Sequence, residues 1–204
     1  MKKAKAMKTH KLSRLTVEEY IRYENETGER HEYHDGMIYA LAGGSLEHAL
    51  LIGNVYSELR NGLKKKGSNC KPITNDAKLY IEKENKYVYP DTMVICGDFE
   101  KSRESKDAVT NPILIVEVLS KSTSEYDRGD KFYFYRQIPS LQEYVLIEQN
   151  RYVVEVYYKK ERNDLWRISR YEGLDEMISI QSLNIEIEMK ELYFDINIEN
   201  KANL

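Results

Sequence analysis

The chain has 204 residues, of which 32% are charged and 41% hydrophobic, with a formal net charge of -3. That length suits one domain with a sizeable core and is short for two. The near balance of charge provides no global basic field, so any nucleic-acid binding must be local, and no run of about 18 apolar residues exists to cross a membrane as a helix. The first residues are rich in lysine (Lys2, Lys3, Lys5, Lys8, Lys11) without the apolar stretch of a secretory signal, which predicts a cytoplasmic protein. Cys70 and Cys96 show no CxxC spacing, and the expectation is two reduced thiols with no zinc site. The basic clusters Lys64-Lys65-Lys66 and Lys101-Ser102-Arg103 read as solvated loops. The tyrosines number 17 and concentrate in alternating stretches such as Tyr152 to Tyr158, where an amphipathic ring suits a half-buried strand.

In chain order, residues 1–13 read as a flexible polar arm and 14–198 as a single domain. Thr16 and Glu19 have capping-box spacing, with Leu15 and Tyr20 placed as a hydrophobic staple, which predicts a helix from Val17 to about Asn25. Asp35-Gly36 between two strand-like runs predicts a hairpin. Ser45 caps the longest amphipathic helix, Leu46 to Lys65, which Gly67-Ser68-Asn69 ends. Cys70 to Ile81 reads as one strand and Tyr87 to Cys96 as a strand interrupted at Pro90. Phe99 to Asn111 reads as a charged loop, and Ile113 to Leu119 as a strand buried on both faces. Ser122 or Ser124 would cap a helix through about Arg136. Glu143 to Glu148, Val153 to Lys159 and Leu165 to Tyr171 form a meander with turns at 149–151 and 161–164, and Met177 to Asn197 adds one or two short strands. The order predicts an α/β or α+β architecture on one mixed sheet.

Three residues carry the chemistry. Asp91 follows Pro90 at a strand entrance, where a carboxylate can leave the sheet edge. Glu117 is a lone acid inside an apolar strand, and a buried charge demands a partner. The two stand 26 positions apart (117 minus 91), room for a strand, a loop and a return to a neighbouring strand, so both could face one divalent ion. Lys131 follows Asp127 at the i+4 spacing of one helical face; a surface ion pair is the ordinary alternative, and Lys121 competes for the same role. Glu32 could bind or position a second ion, and His48 could point from the long helix at a phosphate or serve a purely structural hydrogen bond. Arg128 and Tyr135 could contact phosphate or pack the helix.

Tyr89-Pro90-Asp91, Val116 to Thr123, Tyr126 to Lys131 and Ser140 to Leu146, with Glu32 to Gly36 and Glu47-His48 upstream, together resemble the Uma-type family of restriction-endonuclease-like proteins, a branch of the PD-(D/E)xK nuclease superfamily. The resemblance covers about residues 14–195. It implies a restriction-endonuclease-like core, a mixed central β-sheet flanked by helices with an added β-meander. It also implies that Asp91 and Glu117 bind Mg²⁺, with Mn²⁺ as a substitute, and that a lysine displaced from the strand, Lys131, completes the site. Two positions depart from the family: Lys121 stands where relatives have proline, and Glu148 where they have aspartate. The implied activity is metal-dependent hydrolysis of nucleic-acid phosphodiester bonds, in DNA first, by a homodimer. A catalytically silent module that binds nucleic acid or protein on the same scaffold is the alternative. No GxxxxGK[ST], HExxH or GxSxG motif is present, so P-loop, zinc-protease and α/β-hydrolase readings lack residues.

Overall fold

The computed structural model describes residues 14–41, 43–120, 123–159 and 165–198; the expected arm at 1–13, the turn at 161–164, Lys121 and Ser122 lie outside the described residues. Helix α1 (Val17–Thr27) starts on the predicted capping box: the Glu19 backbone N–H donates to Thr16 Oγ1, and the Thr16 N–H donates to the Glu19 carboxylate. Strands β1 (His31–His34) and β2 (Met37–Ala40) form the hairpin, with φ of 43° at Asp35 and 98° at Gly36. Two successive residues at positive φ match the right-handed twist of the flanking strands.

Helix α2 (Leu46–Lys65) buries Leu51, Ile52, Val55, Leu59 and Leu63. Spaced three and four apart, these side chains form one stripe, each contributing about 1.5–3 kcal/mol by leaving water. The stripe packs on one face of a six-stranded sheet in the order β11-β10-β9-β8-β6-β3. Its members are β3 (Cys70–Thr74), β6 (Thr92–Cys96), β8 (Leu114–Leu119), β9 (Glu143–Glu148), β10 (Val153–Lys159) and β11 (Trp166–Glu172). The central strand β8 pairs antiparallel with β6 and parallel with β9, which makes the sheet mixed. The hairpin β12 (Met177–Ile180) and β13 (Ile185–Glu188) and the short α5 (Met189–Leu192) share the α2 face.

The parity of β8 decides the site. Leu114, Val116 and Val118 face α2, whereas Ile115 and Leu119 face the opposite core, so Glu117 between them points to that second face. That face is covered by a helical stretch made of α3 (Ser124–Tyr126), a π-type turn (Asp127–Lys131) and α4 (Phe132–Tyr135). The second face also meets another sheet, β2-β1-β5-β4-β7, which adds β4 (Lys78–Ile81), β5 (Lys86–Val88) and β7 (Ala108–Val109). Tyr20 of α1 closes this sheet, with Tyr33 at 5.0 Å and Tyr87 at 5.5 Å between ring centroids.

Several expectations are corrected. The strands divide between two large sheets, because the turn at 75–77 ends β3 and sends β4 to the second sheet; Cys70 to Ile81 is therefore two strands. The same division separates β5 from β6 at Pro90. The charged loop contains β7, parallel to β4. The helix after β8 has Thr123 at its N-cap with no side-chain cap bond, and Ser124 is already helical. Cys70 and Cys96 are directly opposed on β3 and β6 and are joined in a disulfide, so the expected free thiols are not found. Sequence spacing conceals that pairing, which an antiparallel register creates.

Candidate active site

Asp91, the residue before β6, and Glu117 of the neighbouring β8 are linked through the backbone of Val118. The Val118 N–H donates to Asp91 Oδ2 at 2.8 Å, so the carboxylate before β6 is tied to the main chain directly after Glu117. Glu117 is 3% exposed, and its Oε1 accepts from the Tyr135 hydroxyl at 2.7 Å and lies 3.1 Å from Lys131 Nζ. Lys131 also lies 3.2 Å from Asp127 Oδ1, as the i+4 spacing predicted, even though this segment is a π-type turn. Asp127 Oδ1 is buried, with no hydrogen-bond partner among the described residues beyond this ion pair. Glu32 of β1 is buried in the same cleft and lies 3.1 Å from His34 Nε2.

His48, in the first turn of α2, points into the cleft from the other side. Its Nε2 stands 3.1 Å from the Val118 carbonyl oxygen and 3.3 Å from Asp91 Oδ2; both are acceptors, so Nε2 is the protonated nitrogen. The cleft is therefore bounded by Glu32, His48, Asp91, Glu117, Asp127 and Lys131, with Tyr89, Tyr126 and the Gly43-Gly44-Ser45 turn on its rim.

The electrostatics reflect four carboxylates gathered around one ammonium. Burial, reinforced by the charges of Asp91 and Asp127, pushes the Glu117 carboxyl up to about 8 despite Lys131 and the Tyr135 hydroxyl. Burial acts against the Lys131 ammonium too, but Glu117, Glu32 and Asp127 outweigh it and hold Lys131 well above its ordinary value. For Glu32, burial is outweighed by the His34 hydrogen bond, the Lys131 charge and the Tyr89 backbone N–H, leaving it below the usual range. The hydrogen bond to Asp91 raises His48 against the effect of burial.

These residues suit a hard divalent cation in donor type: Asp91 and Glu117 offer carboxylate oxygens from a rigid sheet. Among the described residues no cluster of three or more His, Cys, Asp or Glu is placed to enclose an ion unaided.

All the expected site residues that are described line this one cleft: Asp91, Glu117, Lys131, Asp127, Glu32 and His48. Lys121 lies outside the described residues. Arg128 does not reach the cleft. It turns away from the cleft along the same sheet face, toward β9 and β10, where it pairs with Glu148 at 2.7 Å and Glu155 at 3.1 Å and also bonds Ser124, so it packs the helix. Tyr135 is likewise buried and holds Glu117. The role of the Val118 backbone has no side-chain signal in the sequence; the only available pointer was its place next to a buried acid.

The architecture places the chain in the restriction-endonuclease-like class. A crystal structure from Anabaena variabilis, titled as a putative nuclease belonging to DUF820, superposes with a TM-score of 0.70, covering 88% of this chain and 97% of that one at 16% identity. The chain belongs to the Uma2 family, described as "Putative restriction endonuclease", which it matches over residues 17–193. Two uncharacterized proteins of Synechocystis sp. are similar as well. The protein slr1290 is 35% identical over 88% of this chain and 92% of its own length, and sll1609 is 37% identical over 84% and 95%.

Proposed function

We propose that this protein is a metal-dependent endonuclease that hydrolyses phosphodiester bonds in DNA, through a single domain spanning residues 14–198. The observation that carries this reading is the charge imbalance of the cleft: Glu32, Asp91, Glu117 and Asp127 stand around Lys131, and Asp91 is tied to the residue beside Glu117. A divalent ion and a polyanion are the ligands that complete such a set.

Asp91 and Glu117 would hold Mg²⁺, or Mn²⁺ in its place. When bound, the metal supplies polarisation of the phosphate and a bound water of lowered pKa. Tyr135, by donating to Glu117 Oε1, fixes the direction in which that carboxylate faces. Lys131 holds a proton firmly and carries its charge 3.1 Å from Glu117, where an ammonium can orient the attacking water and offset charge on the phosphorane. Asp127 braces the ammonium from the same helix.

Homodimerisation belongs to this reading, since two symmetric sites cut both strands of a duplex. So does a cytoplasmic location, where the substrate is; among the described residues no helix is long and apolar enough to cross a membrane. The Cys70–Cys96 bond stands against a reducing compartment, and alkylation of free thiols at the moment of lysis, followed by mass spectrometry, checks which holds in the cell.

The test is cleavage of plasmid, linear duplex and single-stranded DNA by purified protein with Mg²⁺ or Mn²⁺, beside Glu117→Ala and Lys131→Ala. Metal-dependent cleavage lost in both variants is expected. No cleavage by wild type under any metal would overturn the reading; activity that survives Lys131→Ala would move the lysine role to Lys121.

A further inference from the structure

Helix α2 opens with an arrangement that α2 itself does not need. The Ser45 side chain caps the helix by accepting from the His48 backbone N–H at 3.2 Å, and Gln149 Nε2 donates to the same Ser45 Oγ from the end of β9. Gly44 lies against the imidazole so closely that a Cβ there would stand 2.8 Å from His48 Nδ1 and 3.1 Å from its Cγ. The backbone at Gly44 is not left-handed, so the close approach of the ring, and not the turn, excludes a side chain. The ring is thus held by its backbone, by the glycine beneath it and by Nε2, which reaches Asp91 Oδ2 and the Val118 carbonyl.

An imidazole in the first turn of a helix sits at the end where the dipole disfavours positive charge. Its placement is explained by what it touches. Asp91 Oδ2 accepts from the Val118 N–H at 2.8 Å, and His48 Nε2, which it shares with the Val118 carbonyl, lies 3.3 Å from the same oxygen. A carboxylate held through Oδ2 from two different elements has its rotation restricted.

We propose that His48 is a positioning residue for Asp91: it acts from the first turn of α2, over the clearance left by Gly44, to fix the carboxylate that would hold the divalent cation. This inference rests on the proposed role of Asp91 as a cation ligand. It gives His48 a task other than one at the phosphate, that of holding Asp91 through the contact of Nε2 with Oδ2. Gly44 and Ser45 acquire a purpose in the same step, one giving the ring space and the other setting the helix start that aims it.

The experiment is calorimetric titration of the purified full chain with Mn²⁺ alone, without nucleic acid. Wild type is compared with His48→Ala, His48→Gln and Gly44→Ala, and thermal unfolding in the absence of metal serves as a check that each is folded. His48→Ala is expected to bind Mn²⁺ about 10- to 100-fold more weakly, the usual consequence of removing a partner behind a metal ligand. His48→Gln, which keeps an N–H donor at similar reach, should stay within a few-fold of wild type. Gly44→Ala keeps the imidazole but pushes it aside, and should weaken binding in the same direction as His48→Ala. Mn²⁺ affinity unchanged or increased in His48→Ala would overturn the role of His48, the increase marking the ring as a competitor for the ion. His48→Gln as weak as His48→Ala would overturn the donor function. A wild type that binds no Mn²⁺ would overturn the cation reading of Asp91 and Glu117 itself, an outcome distinct from the other two.

Discussion

Two clusters of charge lie on opposite sides of one short helical stretch, and they are built on different rules. On the outer side, Arg128, Arg151 and Arg170 surround Glu148 and Glu155, so each carboxylate meets at least two guanidinium groups. On the inner side, Glu32, Asp91, Glu117 and Asp127 surround Lys131, with His48 and His34 at the margins. Neighbouring residues, Asp127 and Arg128, belong to different clusters. In the outer cluster every carboxylate is matched by guanidinium groups that reach solvent, which is what a structural network requires. The inner cluster is buried and short of positive charge, an arrangement that costs folding free energy unless a cation joins it.

The sharpest way to break this contrast is at Lys131. Lys131→Met should lower DNA cleavage by at least about 100-fold, within the range for loss of a charge-stabilising group. It should also cost about 3–5 kcal/mol in urea unfolding, because the acids around it lose their buried partner. If the variant unfolds like wild type, the inner cluster is not held by its lysine and the comparison fails.

The next effect is in pH. Between about pH 4.5 and 8 the folded protein retains a proton on Glu117 that the unfolded chain has released. The unfolded state thus binds fewer protons, and the contribution of this group to stability falls as pH rises through that window. Urea midpoints measured across it should decline in wild type and be flatter in Glu117→Gln. Saturating Mn²⁺ should raise the midpoint more at pH 8 than at pH 5, since the ion and the proton compete for the same carboxylate. Equal stabilisation at both values would place the ion away from Glu117.

Tyr135→Phe is a smaller perturbation. It removes the donor at 2.7 Å from Glu117 Oε1 while keeping the ring, and should cost about 1 kcal/mol and steepen the pH dependence. The smallest effect is expected in the outer cluster. Arg128→Ala should cost about 1 kcal/mol, a cost that shrinks in high salt, and leave Mn²⁺ affinity unchanged. A large loss of Mn²⁺ binding in Arg128→Ala would mean that the two clusters act as one network.

Much of the chain is decided locally. Thr16-x-x-Glu19 starts α1, Asp35-Gly36 turns the first hairpin, and Ser45 with the apolar stripe to Leu63 defines α2 at the predicted limits, because capping, positive φ and helical periodicity act over a few residues. Glu117 was conspicuous as an acid in an apolar strand, and Lys131 by its spacing from Asp127, for the same reason. What the sequence did not determine was pairing over distance. The division into two large sheets at 75–77 and at Pro90, the Cys70–Cys96 bond, and the pairing of Arg128 with Glu148 and Glu155 all depend on which strand lies beside which. So does the grip of the Val118 backbone on Asp91, which exists only because β6 and β8 are neighbours in register. Local chemistry selected the residues of the cleft, and the strand register decided that they face one another, since a main-chain hydrogen bond between distant segments leaves no mark in the order of side chains.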